Sequence, residues 1–368
     1  MKNAHNIIII GAGPIGCYLA QLLKQKGFDT LLIEEHKEIG KPIHCAGIVG
    51  KKVFYESKLP LSKDCIVNTI NGAIIHLDNQ TIQIRRKEVA YIIDRERFDK
   101  NLGRELNVIF ETKFLGLEKN EKGYVIETDK GDFFAKIVIG ADGAASLVKN
   151  FVLGKNNNIL NLRGVQFRMK FRPTYSDMVE VYIKKPYFYW VIPEQNNTIR
   201  VGVISQNPYH ELLEFIKEKK LGDNILEKFA GLVPVGCLSS LSYENIFLVG
   251  DSACQVKPLT YGGLYFGMRA AELLSECIVS NRFLDYSRLW GKKFGKEIAI
   301  ALKVKEIFNN LSDKDIKRLF LFAKEKVNLI EEKGDFENHS SLLWELLKHP
   351  GVSKEILNIF FNILKTNF

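Results

Sequence analysis

The feature that most constrains the fold of this chain is a glycine-rich turn close to its N-terminus, Gly11-Ala12-Gly13-Pro14-Ile15-Gly16. The apolar run at residues 6–10 before it is typical of a short buried strand, and residues 16–26 after it predict a helix with leucines on one face. Residues 30–34 predict a second buried strand. A strand, a helix and a strand so close together form a βαβ unit, which implies a parallel sheet.

The spacing of the glycines and of the next acidic residue is typical of a dinucleotide-binding site. Gly11 suits the tight turn, Gly13 lets the backbone approach a pyrophosphate, and Gly16 allows the helix to pack closely against the strand. The pyrophosphate then lies at the helix N-terminus, where free N–H groups and the helix dipole favour anions. Glu34, at the end of the second strand, is expected to accept hydrogen bonds from the adenosine ribose. A turn without a ligand is disfavoured because all these parts are in register.

Two later segments decide between FAD and NAD, which both fit this motif. In residues 137–143 a buried strand ends at Gly140-Ala141-Asp142-Gly143, and in residues 246–251 another ends at Gly250-Asp251, ahead of Gly262-Gly263. An acidic residue at a strand end can bind a polyol, and a helix that opens at glycines can direct its N-terminus at an anion. Because a flavin has both a ribityl chain and a ring that becomes negative on reduction, the sequence predicts FAD.

The remainder of the chain predicts two further regions. Alternating apolar residues between Gly164 and Ser205 indicate an antiparallel sheet with one covered face, and the pattern from about Asp285 is helical. The predicted fold is therefore α/β in class, or α+β overall: a Rossmann-type FAD-binding domain, an antiparallel β-sheet substrate domain and a C-terminal helical region. The predicted boundaries are residues 1–50, 90–160 and 240–282 for the first, 51–89 and 161–239 for the second, and 283–368 for the third.

Turn signals and apolar stripes subdivide these regions. Asn71-Gly72 and Asp78-Asn79 predict turns between short strands in residues 65–93. Apolar stripes in the C-terminal region predict helices that pack on the other domains, although the same stripes suit a surface that dips into a membrane. The stripes comprise Phe320, Phe322, Trp344, Leu346, Leu347, Phe360, Phe361 and Leu364.

The charge and the cysteine content narrow the class of protein. The net charge of +9 comes from lysines interleaved with acidic residues along the chain, which indicates solvated helix faces more than a nucleic-acid site. The six cysteines lack CxxC spacing, so neither a metal site nor an iron–sulfur centre is predicted. With no signal peptide and no run of roughly 18 apolar residues, the expected location is the cytoplasm, with peripheral contact at the inner membrane face as an option.

With these motifs, the chain resembles the geranylgeranyl reductase family of FAD-dependent oxidoreductases, within the larger p-hydroxybenzoate-hydroxylase-like group. The resemblance extends from Asn6 to about Leu274, and its most specific part, residues 40–50 (GKPIHCAGIVG), is similar to the family's CxxxxG motif. Residues 94–99 (DRERFD) resemble the family's helix start. In addition to Gly11, Gly13, Gly16, Glu34 and Asp142, the family implies flavin contacts at Ile15, Cys45, Ala46, Ile48, Arg95, Phe114, Asp251, Gly263 and Leu264.

The family also has an aromatic substrate motif, usually YxWxFP, which residues 186–193 (PYFYWVIP) resemble. By this resemblance Tyr187, Trp190 and Tyr261 are the expected substrate residues, and residues 187–190 together could line an apolar tunnel. Aromatic residues on alternating strands are more often core than tunnel, and FxWxIP is also close to the WxWxIP of flavin-dependent halogenases. Four residues depart from the family's usual choice: Phe188, Ile192, Cys254 and Tyr261.

The activity that this resemblance implies is the reduction of isolated C=C bonds in geranylgeranyl chains of archaeal-type lipids or their precursors. Such a reduction needs a hydride from the reduced flavin on one carbon and a proton on the other, with water excluded. Cys45 is the candidate proton donor near the flavin, with His44 and Tyr261 as alternatives. Because only one complete GxGxxG is present, electrons are expected from an external donor, either a ferredoxin-like protein or NAD(P)H.

Two other functions share the FAD motifs. A flavin-dependent monooxygenase or halogenase would act on an aromatic substrate, and its reduced flavin would react with oxygen. An electron-transfer flavoprotein would pass electrons to quinone at a membrane, but such proteins usually carry a C-terminal cysteine cluster, and the last cysteine here is Cys277. A binding role without chemistry would leave the segment around Cys45 unexplained. The expected partners are thus an isoprenoid lipid or prenyl diphosphate and the electron donor, without nucleic acid.

Overall fold

The computed structural model describes residues 4–154 and 159–348, and it contains two eight-stranded sheets. In chain order the strands are β1 (Ala4–Ile10), β2 (Thr30–Ile33), β3 (Ile48–Gly50), β4 (Ile66–Leu77), β5 (Gln80–Ile93), β6 (Asn107–Ile109), β7 (Phe114–Asn120), β8 (Gly123–Thr128), β9 (Phe133–Gly140), β10 (Leu160–Lys170), β11 (Val179–Lys184), β12 (Tyr187–Pro193), β13 (Thr198–Ser205), β14 (Ile225–Val235), β15 (Ser242–Tyr243) and β16 (Ile246–Leu248).

The first sheet contains the predicted βαβ unit at its centre. Its order is β15-β16-β9-β1-β2-β6, and all of these strands except β15 run parallel to their neighbours, so their carboxyl ends meet at one edge. The hairpin β7–β8 joins the sheet through β9. The central strand β1 is buried from Ile7 to Ile10. Such a continuous apolar run is what a parallel sheet covered on both faces requires.

In chain order the helices of the described residues are α1 (Pro14–Gln25), α2 (Lys52–Tyr55), α3 (Arg95–Leu102), α4 (Lys149–Leu153), α5 (Pro208–Glu218), α6 (Leu264–Val279), α7 (Asp285–Trp290), α8 (Lys296–Asn310), α9 (Asp313–Glu325), α10 (Val327–Lys333) and α11 (His339–Lys348). Of these, α1 and α6 come from distant parts of the chain and pack together on the first sheet. Tyr18 of α1 donates a hydrogen bond to Glu272 of α6 at 2.6 Å. Their apolar faces share one core with β1, β2 and β9, so the two helices begin side by side at the carboxyl edge of the sheet.

The second sheet has the order β14-β10-β13-β12-β11-β4-β5-β3, and its pairs are antiparallel except for β11 with β4. The prediction of a single covered face is wrong for β13, in which every residue is buried. Val201 packs with Leu212 and Phe215 of α5 on one face, while Arg200 and Gly202 lie on the other face, which covers the candidate site. β3 and the end of β5 extend this sheet beyond the predicted segments 51–89 and 161–239.

Strands β4 and β5 form one long hairpin rather than the predicted series of short strands. Its turn lies at Asp78-Asn79, as predicted. Asn71-Gly72 is instead a bulge within β4, where the pairing register shifts. A Cβ on Gly72 would lie 2.0 Å from the carbonyl oxygen of Ile84, so the bulge requires glycine there.

The C-terminal helices pack on the rest of the fold, which confirms the predicted packing for the part of this region that the structure describes. Phe320 and Phe322 are buried, and Phe322 packs with residues of α8 and α11, including Leu346. Trp290 and Phe294 extend the core of the first sheet. Within residues 4–154 and 159–348, no helix is long and apolar enough to cross a membrane. Four residues of the predicted apolar stripes lie outside the residues or side chains that the structure describes: Leu347, Phe360, Phe361 and Leu364.

Candidate active site

The three glycines of the N-terminal motif are required for different reasons. Gly11 has a φ of +99°, and a Cβ there would lie 2.4 Å from the carbonyl oxygen of Ala141 on the neighbouring strand connection. A Cβ on Gly16 would lie 2.2 Å from the carbonyl oxygen of Gly11. Apart from the adjoining residues of the chain itself, no protein atom lies within 4 Å of a Cβ built on Gly13. The fold therefore explains Gly11 and Gly16, whereas the open space at Gly13, at the N-terminus of α1, fits the approach of a pyrophosphate.

Glu34 lies beside this turn at the end of β2. Its carboxylate accepts hydrogen bonds from the Ala12 N–H at 2.7 Å and the His36 N–H at 3.0 Å, and His36 Nδ1 lies 2.6 Å away. The Thr112 N–H donates to the Glu34 carbonyl at 2.9 Å, which brings residues 112–114 alongside. Phe114 is thus close to Glu34, as an adenosine-binding end requires. The analysis of the sequence missed His36, whose position two residues after Glu34 is its only signal.

Two further carboxylates, Asp142 and Asp251, lie at the carboxyl ends of β9 and β16. Asp142 Oδ2 accepts hydrogen bonds from the backbone N–H groups of Leu147 and Val148, but Oδ1 is buried with no partner among the described residues. Burial raises the pKa of Asp142, and it raises that of Asp251 to about 6, with Arg95 opposing the shift. The described residues provide no hydrogen-bond donor to the Asp251 side chain. Acceptors without donors at this edge fit the hydroxyl groups of a ribityl chain.

The loop around Cys45 is held by a buried ion pair that the sequence analysis missed. Arg200 of β13 donates to the carbonyl oxygen of Ala46 at 2.8 Å and to that of Ile93 at 3.1 Å, and its guanidinium pairs with buried Glu194. Because these contacts join three segments of the chain, Arg200 fixes the position of Cys45 relative to the second sheet. Alternation gave no signal for Arg200, since periodicity identifies the two faces of a strand without showing what covers each.

Arg95 places a second, largely buried cation beside the Cys45 loop. Its guanidinium donates to both carboxylate oxygens of Asp99, at 3.1 and 3.0 Å, and lies next to the Cys45 thiol. Burial alone would lower the pKa of Arg95, but Asp99 and Cys45 raise it. Cys45 Sγ also accepts a hydrogen bond from the Gly47 N–H at 3.3 Å. Since Arg95 and Gly47 can only donate here, the thiol proton is left for another acceptor.

The aromatic motif divides between the two faces of its strand. Trp190 Nε1 donates to buried Gln166 at 2.9 Å, and Gln166 Nε2 lies 3.4 Å from the Cys45 carbonyl oxygen, so Trp190 is tied to the Cys45 loop. Tyr261 stacks on Phe188, with ring centroids 5.7 Å apart. The expectation that Tyr189 lines the same tunnel is wrong. Its ring stacks on Phe215 in the core beneath α5, at 4.5 Å, because alternate residues of a strand point to opposite faces.

One continuous cavity of about 1400 Å³ connects all of these groups. Every cofactor residue predicted from the sequence lines it except Gly16, which packs beneath Gly11, and His44, Tyr187, Trp190 and Tyr261 line it as well. We call the part bounded by residues 10–15, 141–142, 251 and 262–264 the flavin arm. The part between the second sheet and the C-terminal helices, the apolar arm, is lined by residues that include Ile75, Val181, Ile183, Phe188, Val304, Lys305, Phe308 and Leu342.

Comparison with known proteins gives a consistent family. Residues 8–147 match the model of a pyridine nucleotide-disulphide oxidoreductase domain. Digeranylgeranylglycerophospholipid reductase 1 of Methanococcoides burtonii is 30% identical, with 94% of this chain and 95% of that protein aligned. The chain belongs to the geranylgeranyl reductase family. An uncharacterised protein of Methanocaldococcus jannaschii is 32% identical over 94% of this chain and 96% of its own. A geranylgeranyl bacteriochlorophyll reductase-like protein from Thermoplasma acidophilum has the same fold, with a TM-score of 0.80, 24% identity, and 97% and 99% of the two chains covered.

This membership confirms the predicted enzyme class and cofactor: the protein is an FAD-dependent oxidoreductase. The open space at Gly13 and the unpaired carboxylate oxygens of Asp142 and Asp251 fit that cofactor. Flavin-dependent brominase Bmp2 also has this fold, with a TM-score of 0.69 and 15% identity over 89% of this chain and 92% of its own. At that identity the likeness extends to the fold alone. The contacts of individual residues with FAD and substrate remain predictions.

Proposed function

We propose that this protein saturates C=C bonds of geranylgeranyl chains in archaeal-type lipids or their precursors, using reduced FAD. The observation that carries the proposal is the continuity of the flavin arm with the apolar arm. A hydrocarbon chain needs a long wall of aliphatic and aromatic side chains, and the apolar arm offers one built from β4, β11, β12 and the C-terminal helices. The relatives named digeranylgeranylglycerophospholipid reductase support the same substrate class.

The residues of the site would divide the work as follows. FAD, when bound and reduced, supplies the hydride. Trp190, anchored by Gln166, forms a wall against which a double bond can be held, and the apolar lining excludes water. Cys45 is the proposed proton donor, because its sulfur accepts a hydrogen bond from the Gly47 N–H and lies beside the Arg95 guanidinium, neither of which can take up its proton. His44 Nδ1 is already bound to the Ala230 carbonyl at 2.5 Å, which makes it a weaker candidate.

A lysine that lines the apolar arm supports a substrate with an anionic head group. Lys305 of α8 lies there, half-buried, with its ammonium against the Tyr261 hydroxyl and over the Tyr261 ring at 4.5 Å. Burial lowers the pKa of Lys305, and no acidic side chain pairs with it among the described residues. A phosphate or diphosphate would supply the missing counter-charge. Burial raises the pKa of Tyr261 to about 12, which makes Tyr261 a weaker alternative as proton donor.

The test is anaerobic. The purified protein is reduced with dithionite, a geranylgeranyl glycerophospholipid or geranylgeranyl diphosphate is added, and the flavin absorbance and the product mass are followed. Reoxidation of the flavin with a gain of two mass units per double bond is the expected result. If every prenyl substrate leaves the flavin reduced while air and an aromatic substrate reoxidise it, the monooxygenase or halogenase alternative replaces the proposal.

The electron donor is tested in the same cuvette. We propose an external donor, since the sequence contains one complete GxGxxG motif, at residues 11–16. Reduced ferredoxin and NAD(P)H are each added to the oxidised enzyme, and the rate of flavin bleaching is compared. Rapid bleaching by one donor identifies it, and bleaching by neither contradicts both options.

A further inference from the structure

The connection between α10 and α11 enters the fold beside the flavin arm. Phe336 packs against the same apolar cluster as Ile48 and Trp190, and Glu337 is buried. A Cβ on Gly50, the glycine of the CxxxxG segment, would lie 2.1 Å from Glu337 Oε1 and 2.7 Å from Phe336 Cδ1. The glycine is therefore required by a contact with a segment almost at the other end of the described chain. This contact brings the Glu337 carboxylate against the segment that follows Cys45, directly behind Phe336 in the cavity wall.

Glu337 pairs with Lys257. Lys257 Nζ donates to Glu337 Oε2 at 2.8 Å and to the Phe336 carbonyl oxygen at 2.9 Å. The side chains of Lys257 and Glu337 are only 5% and 3% exposed, and Glu337 Oε1 has no partner in the part of the chain that the structure describes. The charge of Glu337 thus depends on Lys257. An ammonium has three N–H donors, so one remains for a group in the cavity.

Lys257 lies at the flavin arm. It lines the cavity together with Asp251, Gly263 and Leu264. A Cβ built on Gly262 would lie 2.8 Å from Lys257 Cε and 3.3 Å from Nζ, which places the ammonium against the glycine turn that opens α6. The resemblance to the family assigns the flavin ring to this turn. The neighbouring His339 adds no charge at neutral pH, because burial and the charge of Lys257 lower its pKa to about 4.

We propose that Lys257 donates its remaining hydrogen bond to the flavin ring of bound FAD, and that Glu337 is the residue that positions it there. The ring gains negative charge on reduction, so a cation at hydrogen-bond distance binds reduced flavin more tightly than oxidised flavin. The N-terminus of α6 acts in the same direction. The pair therefore raises the midpoint potential of the flavin, whatever the substrate is.

The experiment is a measurement of the midpoint potential of the holoenzyme at pH 8, where reduced flavin is anionic, by equilibration with redox dyes. The double variant K257M/E337Q removes both charges and leaves neither buried and unpaired. We expect the preference of this variant for reduced over oxidised flavin to fall roughly tenfold. For a two-electron couple, this corresponds to a midpoint potential about 30 mV more negative than that of the wild type. K52M is the matched control, since it removes the surface pair between Lys52 and Asp335 (2.6 Å) in the same segment. It should leave the potential at the wild-type value.

The single variant E337Q separates an electrostatic role from a structural one. The amide oxygen can still accept the hydrogen bond of Lys257, while the negative charge that offsets the ammonium is gone. We expect a more positive potential, opposite in sign to the double variant. A double variant with full FAD content and a wild-type potential would overturn the proposal. If the double variant fails to retain FAD, E337Q decides: a potential that is unchanged or more negative contradicts the role of Lys257.

Discussion

Alanine at Gly13 and alanine at Gly16 should impair the protein in different ways, because the two glycines face different surroundings. Gly13 has a φ of −68° and a ψ of 177°, which any residue adopts, and its Cβ would enter open space within the flavin arm. Gly16 has no such room, since its Cβ would lie 2.2 Å from the Gly11 carbonyl oxygen. G13A should therefore lower FAD affinity without lowering the stability of the apoprotein, and G16A should lower that stability.

The magnitudes follow from these contacts. The G16A methyl group meets a backbone atom that cannot rotate away, and overpacking of this kind costs roughly 1–3 kcal/mol in the free energy of unfolding. G13A should leave this free energy unchanged or raise it by up to about 1 kcal/mol, because alanine restricts the unfolded chain. Its methyl group occupies the expected approach of the pyrophosphate. Losing one charge-assisted hydrogen bond, roughly 1.5–3 kcal/mol, raises the Kd for FAD by about tenfold or more.

Two measurements separate these effects. Urea unfolding of the apoproteins gives the free energies of unfolding, and quenching of flavin fluorescence gives the Kd for FAD. The reasoning about Gly13 fails if G13A binds FAD with wild-type affinity. It also fails if G13A and G16A destabilise the apoprotein equally, because the space beside Gly13 would then not be open.

Three further predictions concern the loop around Cys45 and the aromatic strand. C45A should retain FAD and its reduction by dithionite. In stopped-flow traces, its reduced flavin should be reoxidised by a prenyl substrate roughly 100-fold or more slowly than that of the wild type. An unchanged rate would remove Cys45 as proton donor. In R200M, buried Glu194 keeps only its ion pair with Arg168, at 2.7 Å, so the free energy of unfolding should fall by about 3 kcal/mol. The double variant E194Q/R200M should lose less. Equal losses in the two variants would contradict an ion-pair origin. W190F should raise the KM for a prenyl substrate, because Gln166 loses its partner, whereas Y189F should not; equal effects would refute the assignment of faces.

The sequence was most informative where local chemistry alone decides the structure. The glycine spacing at residues 11–16 and the acidic residues Glu34, Asp142 and Asp251 could be assigned because a βαβ turn and strand ends impose fixed residue types at fixed distances along the chain. The structure brings all of them to one cavity. Topology explains why: the carboxyl ends of parallel strands share one edge of the sheet.

The contacts that could not be predicted join segments that are distant in the sequence. The role of Arg200 could not be predicted because alternation cannot show that the Cys45 loop covers its face of the sheet. Gly50 was assigned to a motif, yet the residue that leaves no room for a side chain there is Glu337. The sequence around Lys257 gave no local signal for the ion pair between Lys257 and Glu337. Such pairings depend on how the C-terminal helices pack on the rest of the fold. Apolar stripes predict that a helix packs against something, but they do not identify the residues that it contacts.

The pH dependence of cofactor binding offers a test of Asp251 that needs no substrate. Burial raises the pKa of this carboxyl group from 3.8 to about 6 in the absence of FAD, with Arg95 opposing the shift. A group whose pKa is higher in the folded state stabilises the fold most below its unfolded pKa, and this stability is lost as the pH rises through about 6. D251N should therefore gain stability relative to the wild-type apoprotein between pH 4 and pH 7, by about 3 kcal/mol at most.

Bound FAD should have the opposite effect on the pKa of Asp251. If ribityl hydroxyl groups donate to Asp251, they stabilise the ionised carboxylate and lower its pKa, so FAD binding releases a proton below about pH 6. The Kd for FAD should then fall as the pH rises from 5 to 7, and D251N should abolish most of this slope while weakening binding at pH 7. Fluorescence titrations at each pH measure both. A slope that persists in D251N would assign the proton to another group, of which Asp142 is the nearest candidate because its Oδ1 is also buried without a partner among the described residues.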